Sequence, residues 1–220
     1  MGKEQVLTPV EAARNRPITT REWDLYPGLF RLEHGTAFWG GKHILDVGSG
    51  FKTTDPHLTF PGATVAMVDP ERGKRITEHT ADEKHTGVVQ ELPFEADAFD
   101  LILSSHSVPQ QLRPTDMPRA LSELLRTIRG DGEIRLMPCA RIFHVTTEIE
   151  KALRSSGFIF DILTGGTDGP IGTFFFPGPM QEKGEAWQRF HRTLFPRETM
   201  GADGRFHNGK KRFFPFLRPG

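Results

Sequence analysis

The sequence predicts an α/β fold on a doubly wound, mostly parallel sheet, and three observations carry that prediction. The stretch His43 to Gly50 reads HILDVGSG. Ile44, Leu45 and Val47 have the apolar character of a strand buried on both faces, with Asp46 near its carboxyl end and Gly48 and Gly50 forming a turn in which the backbone can approach a ligand. A second apolar run, Ala63 to Val68, ends in Asp69, and an acid about 20 residues beyond a glycine turn is placed to bind a ribose. Finally, LPFEADAFDLILSSH, from Leu92 to His106, precedes a capped helix and the turn Gly130-Asp131-Gly132.

The remaining elements follow along the chain. Thr8-Pro9 ahead of Val10 to Arg14 predicts a short helix ended by Pro17. Trp23, Tyr26, Phe30, Phe38 and Trp39 crowd a segment punctuated by Pro27, Gly28, Gly35 and Gly40-Gly41, and are expected to cover the edge of the core. After Gly50, Asp55-Pro56 and Pro61-Gly62 leave room for only a turn or two of helix. Glu71 to His85 is polar and reads as an exposed helix and turn. Its His79 and His85 lack the i, i+4 spacing of paired metal ligands. Gly87 to Glu91 is expected to be the third strand.

Ala98 to Ser105 supplies the fourth strand, with Ser104, Ser105 and His106 at its carboxyl end, the edge where open α/β sheets bind ligands. Thr115 or Asp116 can cap a helix whose Leu121, Leu124, Leu125 and Ile128 share a face, ended by the Gly130-Asp131-Gly132 turn. Ile134, Leu136 and Met137 form the fifth strand. Thr146 or Thr147 caps a further helix, with Glu150 offered for a capping box, Leu153 inward and Gly157 as terminator. Phe158 to Phe160 and Thr173 to Phe176 are the last strands. Glu182 to Phe195 forms an amphipathic helix with Trp187, Phe190 and Leu194 on one face.

Composition bounds the function. The 220 residues carry 28 basic and 28 acidic side chains, which suits one α/β domain with modest additions and argues against a surface wholly devoted to nucleic acid. Cys139 is the sole cysteine, so neither an internal disulfide nor a four-thiolate metal site is expected, and a reducing, cytoplasmic setting fits. The N-terminal stretch has no apolar core of signal-peptide length, and Val6 stands where a myristoylation signal needs Ser or Thr. The forty residues from Gln181 hold nine Lys or Arg against four acids.

Taken together the motifs resemble those of the class I S-adenosylmethionine-dependent methyltransferases, of the kind termed methyltransferase type 11, from roughly Lys42 to Pro177. Asp46-Val47-Gly48-Ser49-Gly50 matches the family's first motif, Asp69 its ribose acid, Leu92-Pro93-Phe94 with Phe99-Asp100 the segment past the adenine, and Arg129 to Glu133 the turn before the fifth strand. The resemblance implies a Rossmann-like sheet of about seven strands, mostly parallel with an antiparallel last strand at one edge. It implies S-adenosylmethionine as cofactor. Asp46 would help anchor the methionine end, with Gly48, Ser49 and Gly50 along the cofactor; Asp69, followed by Pro70, would take the ribose hydroxyls. Glu91 and Leu92 would offer backbone to the adenine edge, and Ser104 and Ser105 would line the carboxyl end of the fourth strand. His106 is the candidate catalytic base for a hydroxyl or amine acceptor, or only shapes the pocket. No metal is implied.

The chain also departs from the family. Lys52 takes the third glycine position; it could meet the methionine carboxylate but is expected to point into water. Val88-Val89 replace an acid-Ala pair, Pro109-Gln110 replace Glu-His, and the Asn-Pro-Pro-aromatic signature of amino-directed DNA methylation is missing. A dehydrogenase would want a third glycine at Thr53. The expected organisation is an aromatic lid or cap over residues 1–41, the cofactor-binding domain over 42–178, and a basic aromatic extension over 179–220. The expected activity is methyl transfer to a small molecule, with the extension closing on its own domain. The alternatives are an RNA-directed methyltransferase using the basic tail and a non-catalytic cofactor-binding partner subunit.

Overall fold

The computed structural model describes residues 22–32, 36–50, 52, 54–70, 81–137, 146–166, 169–201 and 204–208. Seven strands, β1 (His43–Val47), β2 (Thr64–Asp69), β3 (Glu83–Thr86), β4 (Phe99–Ser105), β5 (Ile128–Met137), β6 (Ile159–Gly166) and β7 (Gly169–Phe175), form one sheet in the order β3-β2-β1-β4-β5-β7-β6. Every neighbouring pair is parallel except those of β7, which runs antiparallel to β5 and to β6. This is the predicted Rossmann-like sheet; β7 lies one place inside the edge and β6 outermost. The order reverses between β1 and β4, so the carboxyl ends of these two strands flank a topological switch point.

The strand pleat divides the core into two layers. Leu45, Val47, Ala66, Val68 and Ile102 face one side, and Ile44, Val65, Met67, Leu101 and Leu103 face the other, as period-two alternation requires. Helices α4 (Met117–Thr127), α5 (Thr147–Ser156) and α6 (Lys183–Leu194) cover the first face. The second is covered by aromatic side chains: Trp23, Tyr26, Phe30 and Trp39 pack there with Phe60. Trp23 and Trp39 each meet the Phe60 ring edge-on, at 6.1 and 5.0 Å. Of the five aromatics expected at the edge of the core, four are buried against this face of the sheet and Phe38 alone is exposed. This segment includes the short helix α1 (Tyr26–Phe30), whose last carbonyls, of Phe30 and Arg31, accept from Arg135 of β5 at 2.6 and 2.9 Å.

Three local expectations are corrected. The third strand is Glu83–Thr86, pairing with Ala66 to Asp69, and Val88 with Glu91 makes only an isolated bridge. As an edge strand it alternates between half-buried and exposed residues, so it lacks the apolar run that marks an inner strand. His85 consequently belongs to β3, its ring 4.6 Å from that of Phe94. The glycines at 130 and 132 lie inside β5, not in a turn: the strand starts at Ile128, directly after α4. A Cβ on Gly132 would stand 2.8 Å from the Asp100 carbonyl oxygen, which explains glycine at this close crossing beside the bulge between Phe99 and Leu101. Finally, Thr146 caps α5 through Ile149 N–H, but Glu150 pairs with Arg154 instead of closing a capping box. The short helix that follows β1 is α2 (Pro56–Thr59), capped by Asp55 as its flanking prolines suggest. The region of the Thr8 to Arg14 helix and of His79 lies outside the described residues. Among the described residues no helix is long and apolar enough to cross a membrane.

The C-terminal helix shares the main core. Ala186, Trp187 and Phe190 join it, Trp187 Nε1 donates to the Ser122 carbonyl at 2.9 Å, and Lys183 Nζ donates to Asp97 and to the Arg126 carbonyl at 2.7 and 2.8 Å. Beyond it, β8 (Glu198–Met200) and β9 (Phe206–Asn208) form a hairpin. His191 bridges the two parts: Ser122 Oγ lies 2.7 Å from its Nδ1 and Glu198 Oε2 3.1 Å from its Nε2, while the Phe206 ring stacks on it at 3.8 Å. Glu198 also pairs with Arg119.

Burial pushes the His191 imidazole down to about 4, opposed in part by the hydrogen bond to Glu198. The unfolded chain takes up this proton near the ordinary histidine value of about 6.5, whereas the folded chain stays neutral until about 4. Between those values the unfolded state holds more protons, so this residue makes stability fall as pH drops through the window. Urea unfolding of wild type and His191→Gln at steps from about pH 7 to pH 4 should show the wild type's advantage shrinking as pH falls. An advantage constant with pH would show that His191 contributes no such linkage.

Candidate cofactor site

The site is built at the carboxyl ends of β1, β2 and β4. Gly48 and Gly50 take φ of 69° and 59°, in the left-handed region that a Cβ disfavours. Gly48 N–H donates to the Val68 carbonyl at 2.8 Å, and a Cβ on Gly48 would lie 1.9 Å from Ser107 Oγ. The turn is thus wedged between β2 and the segment after β4. Gly50 N–H donates to Asp69 Oδ2 at 3.1 Å, so the turn and the acid at the end of β2 are bonded directly. Asp69 and Pro70 are half-buried, and Ser49 is buried.

Across the switch point, Ser104 has a structural duty. Its hydroxyl donates to the Val47 carbonyl at 2.8 Å and accepts from Val108 N–H at 3.1 Å, fixing β4 to β1 and starting the short helix α3 (Val108–Gln111). Ser105 is buried, its hydroxyl hydrogen-bonded to His106 Nδ1 at 2.9 Å. His106 takes φ of 60° with its N–H on the Met137 carbonyl at 2.6 Å. A positive φ at a residue other than glycine costs on the order of 1–3 kcal/mol and is held by its surroundings. Glu91 is exposed. Leu92 is buried, its N–H donating to Glu123 at 3.0 Å and its carbonyl accepting from Arg126 at 3.1 Å, so the chain itself uses both backbone groups. The structure therefore gathers Asp46, Gly48, Ser49, Gly50, Asp69, Ser104, Ser105 and His106 at one sheet edge, and turns Leu92 toward α4.

Lys52 corrects the expectation of a lysine in water, being only 1% exposed. Its ammonium lies 2.7 Å from Asp46 Oδ2, donates to the Ser49 carbonyl, and sits 4.7 and 5.1 Å from the ring centroids of Trp23 and Tyr26. Asp46 faces the aromatic layer because the pleat places it on the side of Ile44. There the Tyr26 hydroxyl reaches both carboxylate oxygens at 3.0 Å. Two residues on, Thr54 donates through N–H and hydroxyl to Glu22, each at 3.0 Å, and accepts from Trp23 N–H at 3.0 Å. The sequence shows Trp23 and Tyr26 as part of an aromatic cap but not their contacts with Asp46 and Lys52, since nothing local ties them to the strand.

Residues 45–136 match the family model of a methyltransferase domain. No protein of curated function matches the chain. Solved structures similar to it include a TehB-like S-adenosylmethionine-dependent methyltransferase from Corynebacterium glutamicum, at 18% identity over 75% of this chain and 91% of that one, with a TM-score of 0.49. The 1,6-didemethyltoxoflavin-N1-methyltransferase of Burkholderia thailandensis, solved with S-adenosylhomocysteine, shows 19% identity over 68% and 76%, with a TM-score of 0.46. A methyltransferase from an antibiotic biosynthesis pathway of Anabaena variabilis shows 22% identity and a TM-score of 0.37, over 52% of this chain and less than half, 43%, of its own length. Over residues 45–136 the chain is thus similar to a methyltransferase domain, which agrees with the S-adenosylmethionine-dependent family that its motifs resemble.

Gly48→Ala should lower stability by about 2 kcal/mol or more, since it adds a strained φ to a collision with Ser107. Adding Ser107→Gly should restore the part due to collision and leave the part due to φ. Chemical denaturation of the single and double variants measures both, and equal stabilities for the two would show that Ser107 does not define the turn.

Proposed function

We propose that the chain is an active methyltransferase that transfers the cofactor's methyl group in line to a small-molecule acceptor. The observation that carries the reading is the Gly50–Asp69 bond, which sets the glycine turn and the ribose acid as one surface at the switch point, across from a strained histidine. The donor set fits the cofactor's adenosyl end. Asp69, a carboxylate acceptor at the carboxyl end of β2, would accept from the ribose hydroxyls. The backbone of Gly48 to Gly50 would lie along the cofactor.

When bound, the cofactor supplies a methyl group on a sulfonium, whose departure requires no proton. The chain's own residues then have three duties: to hold the reactants in line, to keep water out, and to take a proton where the acceptor carries one. The aromatic segment over the sheet supports the second. For the third, His106 Nε2 would accept the proton while Nδ1 is held by Ser105. The small-molecule reading is supported by the helix of the extension, which packs Trp187 and Phe190 into the core, where neither is open to stack on RNA. A second reading, a cofactor-binding subunit without catalysis, is favoured by one observation, the Lys52 ammonium on Asp46.

Calorimetry should detect binding of S-adenosylmethionine and S-adenosylhomocysteine. Asp69→Ala should weaken both by about tenfold or more, because each charge-assisted hydrogen bond is worth roughly 1.5–3 kcal/mol. Absence of binding, or an unchanged constant in the variant, would refute the cofactor assignment. With an acceptor found by screening, His106→Ala should lower turnover by about 10²–10⁴ with cofactor affinity nearly unchanged. His106→Gln keeps polarity but cannot take the proton; turnover equal to wild type in both variants would leave positioning as the whole mechanism.

A further inference from the structure

The carboxyl end of β1 holds a cage suited to an organic cation. Around Lys52 Nζ stand the Asp46 carboxylate at 2.7 Å, the Ser49 carbonyl, and the rings of Trp23 and Tyr26 at 4.7 and 5.1 Å. An anion with aromatic faces is a recurrent recognition mode for ammonium groups, and Tyr26 orients both oxygens of that anion. Replacing the lysine alone by an apolar chain would leave the Asp46 carboxylate buried without its cation, so the cage keeps a demand for an ammonium group. The cage also adjoins Gly48 and Gly50, at the sheet edge where ligands bind.

We propose that Lys52 is a specificity-determining residue that fills an ammonium subsite of the crevice from within, so that a ligand is read through its adenosyl end and gains nothing from an ammonium of its own. The inference rests on the cofactor reading above. A second ammonium brought to the Asp46 carboxylate would stand within a few ångström of Lys52 Nζ and be repelled in a site of low polarity. With Lys52 removed, the same carboxylate and rings are left to the ligand.

Three adenosyl thioethers separate the contributions: 5′-methylthioadenosine has neither ammonium nor carboxylate, decarboxylated S-adenosylhomocysteine has the ammonium alone, and S-adenosylhomocysteine has both. Calorimetry on the full chain should give the first two affinities within about threefold of each other in wild type. In Lys52→Met the ammonium-bearing probe should become about tenfold tighter than 5′-methylthioadenosine, the scale of one charge-assisted hydrogen bond. A wild type that already prefers the ammonium probe by tenfold, or a variant with no gain, overturns the proposal. If Lys52→Met does not fold, Lys52→Gln and the wild-type comparison decide in its place. Binding of 5′-methylthioadenosine tells the two levels apart: if no probe binds either protein, the cofactor reading fails and the proposal with it, whereas binding without the expected ratios sinks the proposal alone.

Discussion

Asp46 is the constraint on which the ligand edge of this molecule depends. Its carboxylate is fully buried, and a buried charge without partners is costly enough that the chain must supply them. The pleat of β1 turns it toward the aromatic layer, where Tyr26 arrives from before the strand and Lys52 from after it. Removing one partner of such a pair typically costs about 3–5 kcal/mol, although the pair as a whole adds little over an apolar replacement. Its consequence is therefore geometric. Segment, strand and turn are locked in one arrangement, and from there the positions of Gly48 against Ser107 and of Gly50 against Asp69 follow.

The opposite face of the sheet is organised by polar groups that α4 buries. Ser122, Arg126 and Thr127 are all buried, and each is satisfied. Arg126 donates to the Phe94 and Leu92 carbonyls and pairs with Glu123, which moulds the loop before β4 onto the helix. Its own carbonyl accepts from Lys183. Burial lowers the Lys183 pKa, and the Asp97 carboxylate opposes that shift. Ser122 in turn receives Trp187. The C-terminal helix is thus held by groups that would otherwise be unsatisfied, a stronger reason for it to pack here than its basic composition alone.

What the sequence revealed depended on whether the signal was local. Inner strands announced themselves as apolar runs, and the glycine turn and Asp69 lay at spacings with a chemical reason behind them. The edge strand β3 was missed because Glu83 to Thr86 has one half-buried face and none of the required apolar character. The start of β5 was missed because the apolar period of α4 continues through Ile128 into the strand, with no loop between. Lys52 was misread because its environment is assembled from Trp23 and Tyr26, far earlier in the chain. A lysine after a glycine turn looks the same in sequence whether it meets water or a buried carboxylate.

Backbone strain adds a distinction that composition cannot. Among the described residues, Arg31, Asp97 and His106 are the non-glycine positions with positive φ. Arg31 ends α1, where a left-handed residue is a common stop, and its carbonyl is tied to Arg135. Asp97 occupies a tight connection, its N–H on the Arg126 carbonyl and its carboxylate on Lys183. Both conformations are accounted for by contacts that hold helices to the sheet. His106 follows the last residue of β4 beside the glycine turn, two residues ahead of α3. Its N–H is bonded to the Met137 carbonyl of β5 and one ring nitrogen to the Ser105 hydroxyl. A left-handed φ at such a residue persists only where the surroundings over-determine it, and these contacts from two strands do so at the connection that brings Ser107 against Gly48.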